Sequence, residues 1–254
     1  MAAADRVDPI HQFQVQDIFH IGEIAGMRLS FTNSALFMFI AVLLSFGLLY
    51  VGSAPRELVP GRMQSIAEEF YSFVHNLVRQ TLGEEGRAFF PFIFALFSFV
   101  FFTNFLGLIP YFFTVTSQLV ITGTLALFII LMVLVVGIYK HGLGFFGLFV
   151  PHGVPKLLLP FISLIEIISF LARPVSLSLR LFGNMLAGHI VLKVFAGFIV
   201  SLAAFGVGGW LGAIAPLIMT VAITALEFLV SALQAFVFAV LACVYLKDAL
   251  HPHH

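Results

Sequence analysis

The chain has 254 residues, 61% hydrophobic and only 9% charged, with a mean hydropathy of +1.11. A soluble domain carries about 25% charged residues, so this composition excludes an ordinary water-soluble globule, and lipid is the expected surrounding. Twelve Lys and Arg balance twelve Asp and Glu, which leaves no basic footprint for nucleic acid and no sign of a highly charged soluble partner. Cys243 is the single cysteine and lies in an apolar run. An intrachain disulfide and a multi-thiolate site are therefore excluded, and no metal site or cofactor is expected.

Residues 1–33 hold Asp5, Asp8, Asp17 and Glu23 and lack a basic start followed by an apolar run, which argues against a cleaved leader. A spanning helix needs about 20 mainly apolar residues. Residues 34–51 supply a first span, and residues 88–139 supply two more. Between them, within 57–85, Ile66, Phe70, Phe73, Val74 and Leu77 recur at helical spacing while Glu68, Glu69, Asn76 and Arg79 project elsewhere. That pattern predicts an amphipathic helix on the membrane surface, its charges either solvated or docking a partner helix.

Residues 157–246 contain two apolar stretches, each longer than one perpendicular span. They must tilt, bend or break. Pro160 and Pro174 offer kinks, Gly183, Gly188 and Gly197 offer close helix approach, and the glycine-rich 206–212 stretch offers a turn. The expected fold is an all-α polytopic membrane protein forming a single membrane domain over 1–254. It has about five membrane-embedded helices and one surface helix, the last two long, tilted and paired as a hairpin. Arg56, Arg62, Lys140, Lys156 and Lys247 fall on one side in that scheme, whereas the connection at 114–118 is uncharged, which places the carboxyl terminus on the cytoplasmic side. Tyr50, Tyr111, Tyr139 and Tyr245 suit interfacial positions. The terminal His251, His253 and His254 are assigned no role.

The hairpin also carries Glu166, Arg173, Arg180, Lys193 and Glu227. An ionisable group at the bilayer centre costs about 2.5 to 17 kcal/mol, so each should face protein or a hydrated cavity. At about 100° per residue, Glu166, Arg173, Arg180 and Asn184 fall within about 40° of one another, with Pro174 able to distort the stripe. His189 points to the opposite face. On the following helix, Glu227 and Gln234 stand seven apart and nearly aligned.

Arginine stays charged and cannot relay a proton, which suits it to be a fixed counter-ion for a negative group that comes and goes. Glutamate and histidine can both take up and release protons. Together they read as a proton path beside an electrostatic barrier. Blander alternatives stand beside this reading. Arg173 and Lys193 could snorkel to an interface, Glu166 could pair with Arg173, and His189 could be satisfied by a backbone carbonyl. Glu227 could be purely structural, and Asn184 and Gln234 could simply bond across helices. Arg180, set mid-helix with no acid within two turns, is the hardest to explain as packing.

The stretch RPVSLSLRLFGNMLAGH, from Arg173 to His189, resembles the penultimate helix of subunit a of F-type ATP synthases. Arg180 and Asn184 stand at the family's characteristic positions. Residues 104–110, NFLGLIP, resemble its motif in an earlier span, and residues 234–238, QAFVF, its final helix. Residues 8–13, DPIHQF, are similar to the start of bacterial members near the mitochondrial form. The resemblance implies that Arg180 meets in turn the lipid-embedded carboxylates of a rotating ring of c subunits. His189 and Glu227 would then serve one of two offset aqueous half-channels, and Glu166 would contribute to proton passage. Asn184 and Gln234 would position water or Arg180, with Arg173 as a further supporting polar group. Some members exchange the His189 and Glu227 residue types.

It further implies a proton-translocating stator, not catalytic alone, within a two-sector ATP synthase. Its partners would be the ring, peripheral-stalk b-type subunits and the lipid bilayer. Its place would be a bacterial inner membrane or an organelle inner membrane. No phosphate-cradling G-x-x-x-x-G-K-[ST] sequence is present, so nucleotide chemistry would belong to other subunits. A self-sufficient transporter would be expected to show internal repeats with paired broken helices, and no repeat relates the halves. A membrane scaffold would leave Arg180, His189 and Glu227 with no reason to be buried.

Overall fold

A computed structural model describes residues 13–24, 27–53, 60–109, 112–149, 155 and 158–251. Residues 1–12, Arg56, Tyr111, Lys156, His253 and His254, together with Pro110 of the earlier-span motif, lie outside the described residues. Among the described residues the first elements form an antiparallel hairpin, β1 (Asp17–Ile24) and β2 (Met27–Thr32), and six α-helices follow. These are α1 (Asn33–Ser53), α2 (Arg62–Leu82), α3 (Phe90–Gly107), α4 (Leu119–His141), α5 (Leu159–Ala203) and α6 (Val207–Leu250). All but α2 are long and apolar enough to cross a membrane. The protein is thus an all-α polytopic membrane protein; the short β-hairpin seen among the described residues was not among the expected elements.

The helices form for the reasons their sequences suggest, and they stop where the backbone changes. α2 turns Val74, Leu77, Val78 and Leu82 into the core and leaves Glu68, Glu69 and Arg79 outside. Gly83, at φ +67°, ends it, a conformation that glycine adopts without a Cβ clash. Pro160 lies in the first turn of α5, where a proline has no helical N–H bond to lose, so it starts the helix instead of kinking it. Pro174 sits inside α5 and Pro216 inside α6, and both helices continue through them. The hairpin turn falls at 204–206, with Gly206 at φ +77°, so Gly208, Gly209 and Gly212 already belong to α6.

Lipid tails are as apolar as leucine, so helix association here rests on van der Waals fit and interhelical hydrogen bonds. α3 is the central strut, burying Ile93, Leu96, Phe97 and Val100, and α6 meets it with the small residues Ala235, Ala239, Ala242 and Cys243. Fully buried Asn104 donates from Nδ2 to the Ser231 carbonyl of α6 (3.2 Å) and accepts from Thr116 Oγ1 (2.8 Å). Thr122 of α4 and Ser178 of α5 share a hydrogen bond of 3.1 Å. α5 has 45 residues, about 68 Å at about 1.5 Å per residue. That is over twice the roughly 30 Å hydrocarbon core, so the helix must run obliquely or project beyond the bilayer. Only 11% of its most apolar window is buried within the chain, against 56% for α3.

One end of the bundle is tied by charge. Lys140 at the end of α4 donates to Glu85 (2.9 Å), in the turn between α2 and α3, and His251 Nε2 lies 3.5 Å from the same carboxylate. The Lys140 hydrogen bond is the main cause that holds the Glu85 carboxyl below its usual range; desolvation opposes it, and the Lys140 and His251 charges add smaller lowering contributions. With the folded-state pKa depressed, the contribution is present above the ordinary carboxylate range and is lost as pH falls through the lowered value. Both groups are substantially exposed, so the effect is small. A Lys140→Met chain in detergent should therefore melt slightly below the native chain at neutral pH and together with it in acid. An equal gap at both pH values would contradict this assignment.

Candidate ion-path site in the α5–α6 hairpin

α5 has two unlike faces. Phe170, Pro174, Leu177, Ser178, Leu181, Met185 and His189 are buried against the bundle, whereas Glu166, Arg180 and Asn184 are exposed. Arg180 sits in an open groove with Ile168, Leu171, Ala172, Val175, Ser176 and Leu179. No acid lines that groove, and Arg180 makes no ion pair or hydrogen bond among the described residues.

Arg173 is placed differently from the stripe expected for it. Its guanidinium swings across to the end of α6, where it pairs with Asp248 at 2.9 Å and lies 5.0 Å from the centre of the Tyr245 ring and 5.7 Å from that of Phe170. The antiparallel return of α6 brings Asp248 alongside, within reach of the long arginine stem. Glu166 is therefore not its partner, and remains exposed. Lys193 is half-buried.

On the inner face, His189 and Glu227 are brought to the same part of the α5–α6 seam. The Glu227 carboxylate rests on the bare Cα of Gly188, the residue before His189, so closely that a Cβ there would lie 2.1 Å from Glu227 Oε1. Gly188 thus provides the close approach expected of it, while Gly183 and Gly197 face open space. His189 Nε2 and Glu227 Oε1 are both buried with no hydrogen-bond partner among the described residues. A buried polar atom left unpaired costs about 1 to 3 kcal/mol, so both atoms call for a polar partner beyond the described side chains. Two turns on, Gln234 is buried, and Ser231 between them is held by Asn104.

Residues 35–247 match the family model described as ATP synthase A chain. The chain belongs to the ATP synthase A chain family. It is 60% identical over 247 residues to ATP synthase subunit a of Chelativorans sp. strain BNC1, an alignment covering 97% of this chain and 99% of that protein. The corresponding protein of Agrobacterium fabrum is 59% identical over 97% of this chain and 99% of its own length. That of Bartonella tribocorum is 58% identical over 97% and 98%. As a member of this family, the chain is a multi-pass membrane component of an ATP synthase, working in proton transport and ATP synthesis.

Three groups around the α5–α6 seam of this family member are not legible as such in the sequence. Asp248 is 75 residues from Arg173, and nothing local marks it as the partner. Asn104 is visible in its motif, but its bonds to Thr116 and to the Ser231 carbonyl appear only in three dimensions. Gly188 is one of several glycines, and only the placement of Glu227 distinguishes it.

Proposed function

We propose that this chain is the proton-translocating stator of the ATP synthase membrane sector, with the outer face of α5 applied to a rotating ring of c subunits. The observation that carries the reading is Arg180, a charge without an acid partner among the described residues, on an apolar helix face that those residues leave uncovered. Left against lipid, a guanidinium costs several kcal/mol. Against a ring of lipid-embedded carboxylates it becomes the counter-ion that favours each deprotonated site as it passes. A ring site cannot then carry its proton past Arg180, which separates two offset aqueous half-channels.

His189 and Glu227 serve one half-channel. Their open polar atoms lie in one seam, where water and a transferable proton would complete their hydrogen bonding. Glu166, on the exposed face, contributes to the passage of protons, and Asn184 and Gln234 orient water or Arg180. Arg173, paired with Asp248, holds the end of α6 against α5 and leaves Arg180 in the groove without an ion pair among the described residues. A proton moving down 100 mV releases about 2.3 kcal/mol, so several must pass for each ATP, and an uncoupled leak would waste them. Nucleotide chemistry belongs to other subunits. The chain sits in a bacterial inner membrane, anchored to peripheral-stalk b-type subunits.

Cysteine cross-linking tests the ring-facing assignment, helped by the native Cys243 being fully buried. Leu179→Cys, in the groove beside Arg180, should form a disulfide with a cysteine placed next to the carboxylate on the ring's outer helix, and the linked complex should stop pumping. Failure of that link, together with ready linking from the equally uncovered α1, would place the ring elsewhere.

A further inference from the structure

The segment before the first span makes a contact that the proton path as described does not use. Phe13 is buried, and its ring centre lies 6.3 Å from that of His189, tilted by 58°. Its carbonyl accepts a 2.7 Å hydrogen bond from Gln118 Nε2, at the start of α4. The residues that follow are fastened to the start of α1. Asn33 Nδ2 donates to the Gln14 carbonyl (3.2 Å), the Gln16 N–H donates to Asn33 Oδ1 (3.1 Å), and the Asn33 N–H donates back to the Gln16 carbonyl (3.0 Å).

Residues 13–16 therefore form a strap pinned at both ends, and it lays a phenyl ring beside the imidazole. A polar side chain at that point could satisfy His189 Nε2, but the strap sets Phe13 there, and the nitrogen has no hydrogen-bond partner among the described residues. We infer that Phe13 is a positioning residue for the proton path. It covers one side of His189, sets the orientation of the imidazole and restricts how water reaches it, with Gln118 holding the strap in register. This rests on the reading of His189 as part of that path.

The test uses the assembled complex in membrane vesicles and two readouts: ATP-driven proton pumping, and deuterium exchange at the imidazole C2–H of His189, followed by mass spectrometry. Phe13→Ala should speed the exchange several-fold and slow coupled pumping, and Phe13→Leu, which restores apolar bulk, should bring both back towards native. Gln118→Ala frees the strap but keeps the phenyl ring, and should move both readouts the same way by less. It carries the test should Phe13→Ala fail to assemble. Unchanged His189 exchange in an assembled Phe13→Ala or Gln118→Ala complex would overturn the inference, even with slower pumping, because Phe13 would then be packing alone. His189→Ala in parallel keeps the two readings apart. If that complex pumps at the native rate, the path through His189 is wrong; if it stops while the strap variants are inert, only the role of Phe13 falls.

Discussion

ATP synthesis driven by an imposed proton gradient is expected to fall to background in an Arg180→Ala complex and to remain far below native in Arg180→Lys. Two unit charges about 4 Å apart at an effective dielectric of about 20 interact by about 4 kcal/mol. That is a preference of about a thousandfold for the deprotonated ring site as it passes. Removing the guanidinium removes this preference, and ring sites then cross the stator with their protons on. Lysine keeps the charge but places it as a compact, strongly hydrated ammonium on a flexible stem, in a groove whose neighbours offer no acid to hold it. Assembly should survive both changes, because Arg180 makes no ion pair or hydrogen bond within the described chain whose loss would unfold it. Near-native synthesis by an assembled Arg180→Ala complex would remove Arg180 from the mechanism.

The second large effect concerns Glu227 and the glycine beneath it. Glu227→Gln keeps size and polarity but abolishes protonation, and should slow coupled pumping by roughly a hundredfold, in line with the loss of a positioned proton-transfer group. Gly188→Ala adds only a methyl. Its Cβ would stand 2.1 Å from Glu227 Oε1 and 3.1 Å from Cγ, so the flexible carboxylate must move while the helix backbones can stay. The complex should assemble, yet pump well below native. Purified complexes with unchanged melting temperature and reduced pumping are the expected pair of results; native pumping in both variants would make Glu227 a structural residue.

Much of the fold is legible in the sequence because length and hydropathy decide it. Spans of about 20 apolar residues can hardly do anything but cross a bilayer, and a stretch such as 157–200 exceeds one perpendicular crossing. The β-hairpin is harder to see. Met27, Leu29 and Phe31 alternate with Arg28, Ser30 and Thr32, a real strand signal, but it spans six residues and a two-stranded hairpin is marginal on its own. In the site, charges set among apolar residues stand out against a strong prior, so Arg180, His189 and Glu227 are visible at once. What each one touches is not. Helical spacing puts Arg173 on the stripe of Glu166 and Arg180, yet a long side chain chooses its partner by reach, and Asp248 arrives only because α6 returns antiparallel. The proline readings divide on position. Pro160 in a first turn starts a helix, and Pro174 in mid-helix is carried through.

The proposed role of Arg180, to separate two half-channels, is tested most directly by passive proton leak, measured in vesicles of assembled Arg180→Ala complex alongside ATP-driven pumping in the same preparation. The expected result is a leak faster than native with no ATP-driven pumping, because ring sites then carry protons past the stator without coupling. Pumping near the native rate with an unchanged leak would contradict Arg180 as the barrier between the half-channels.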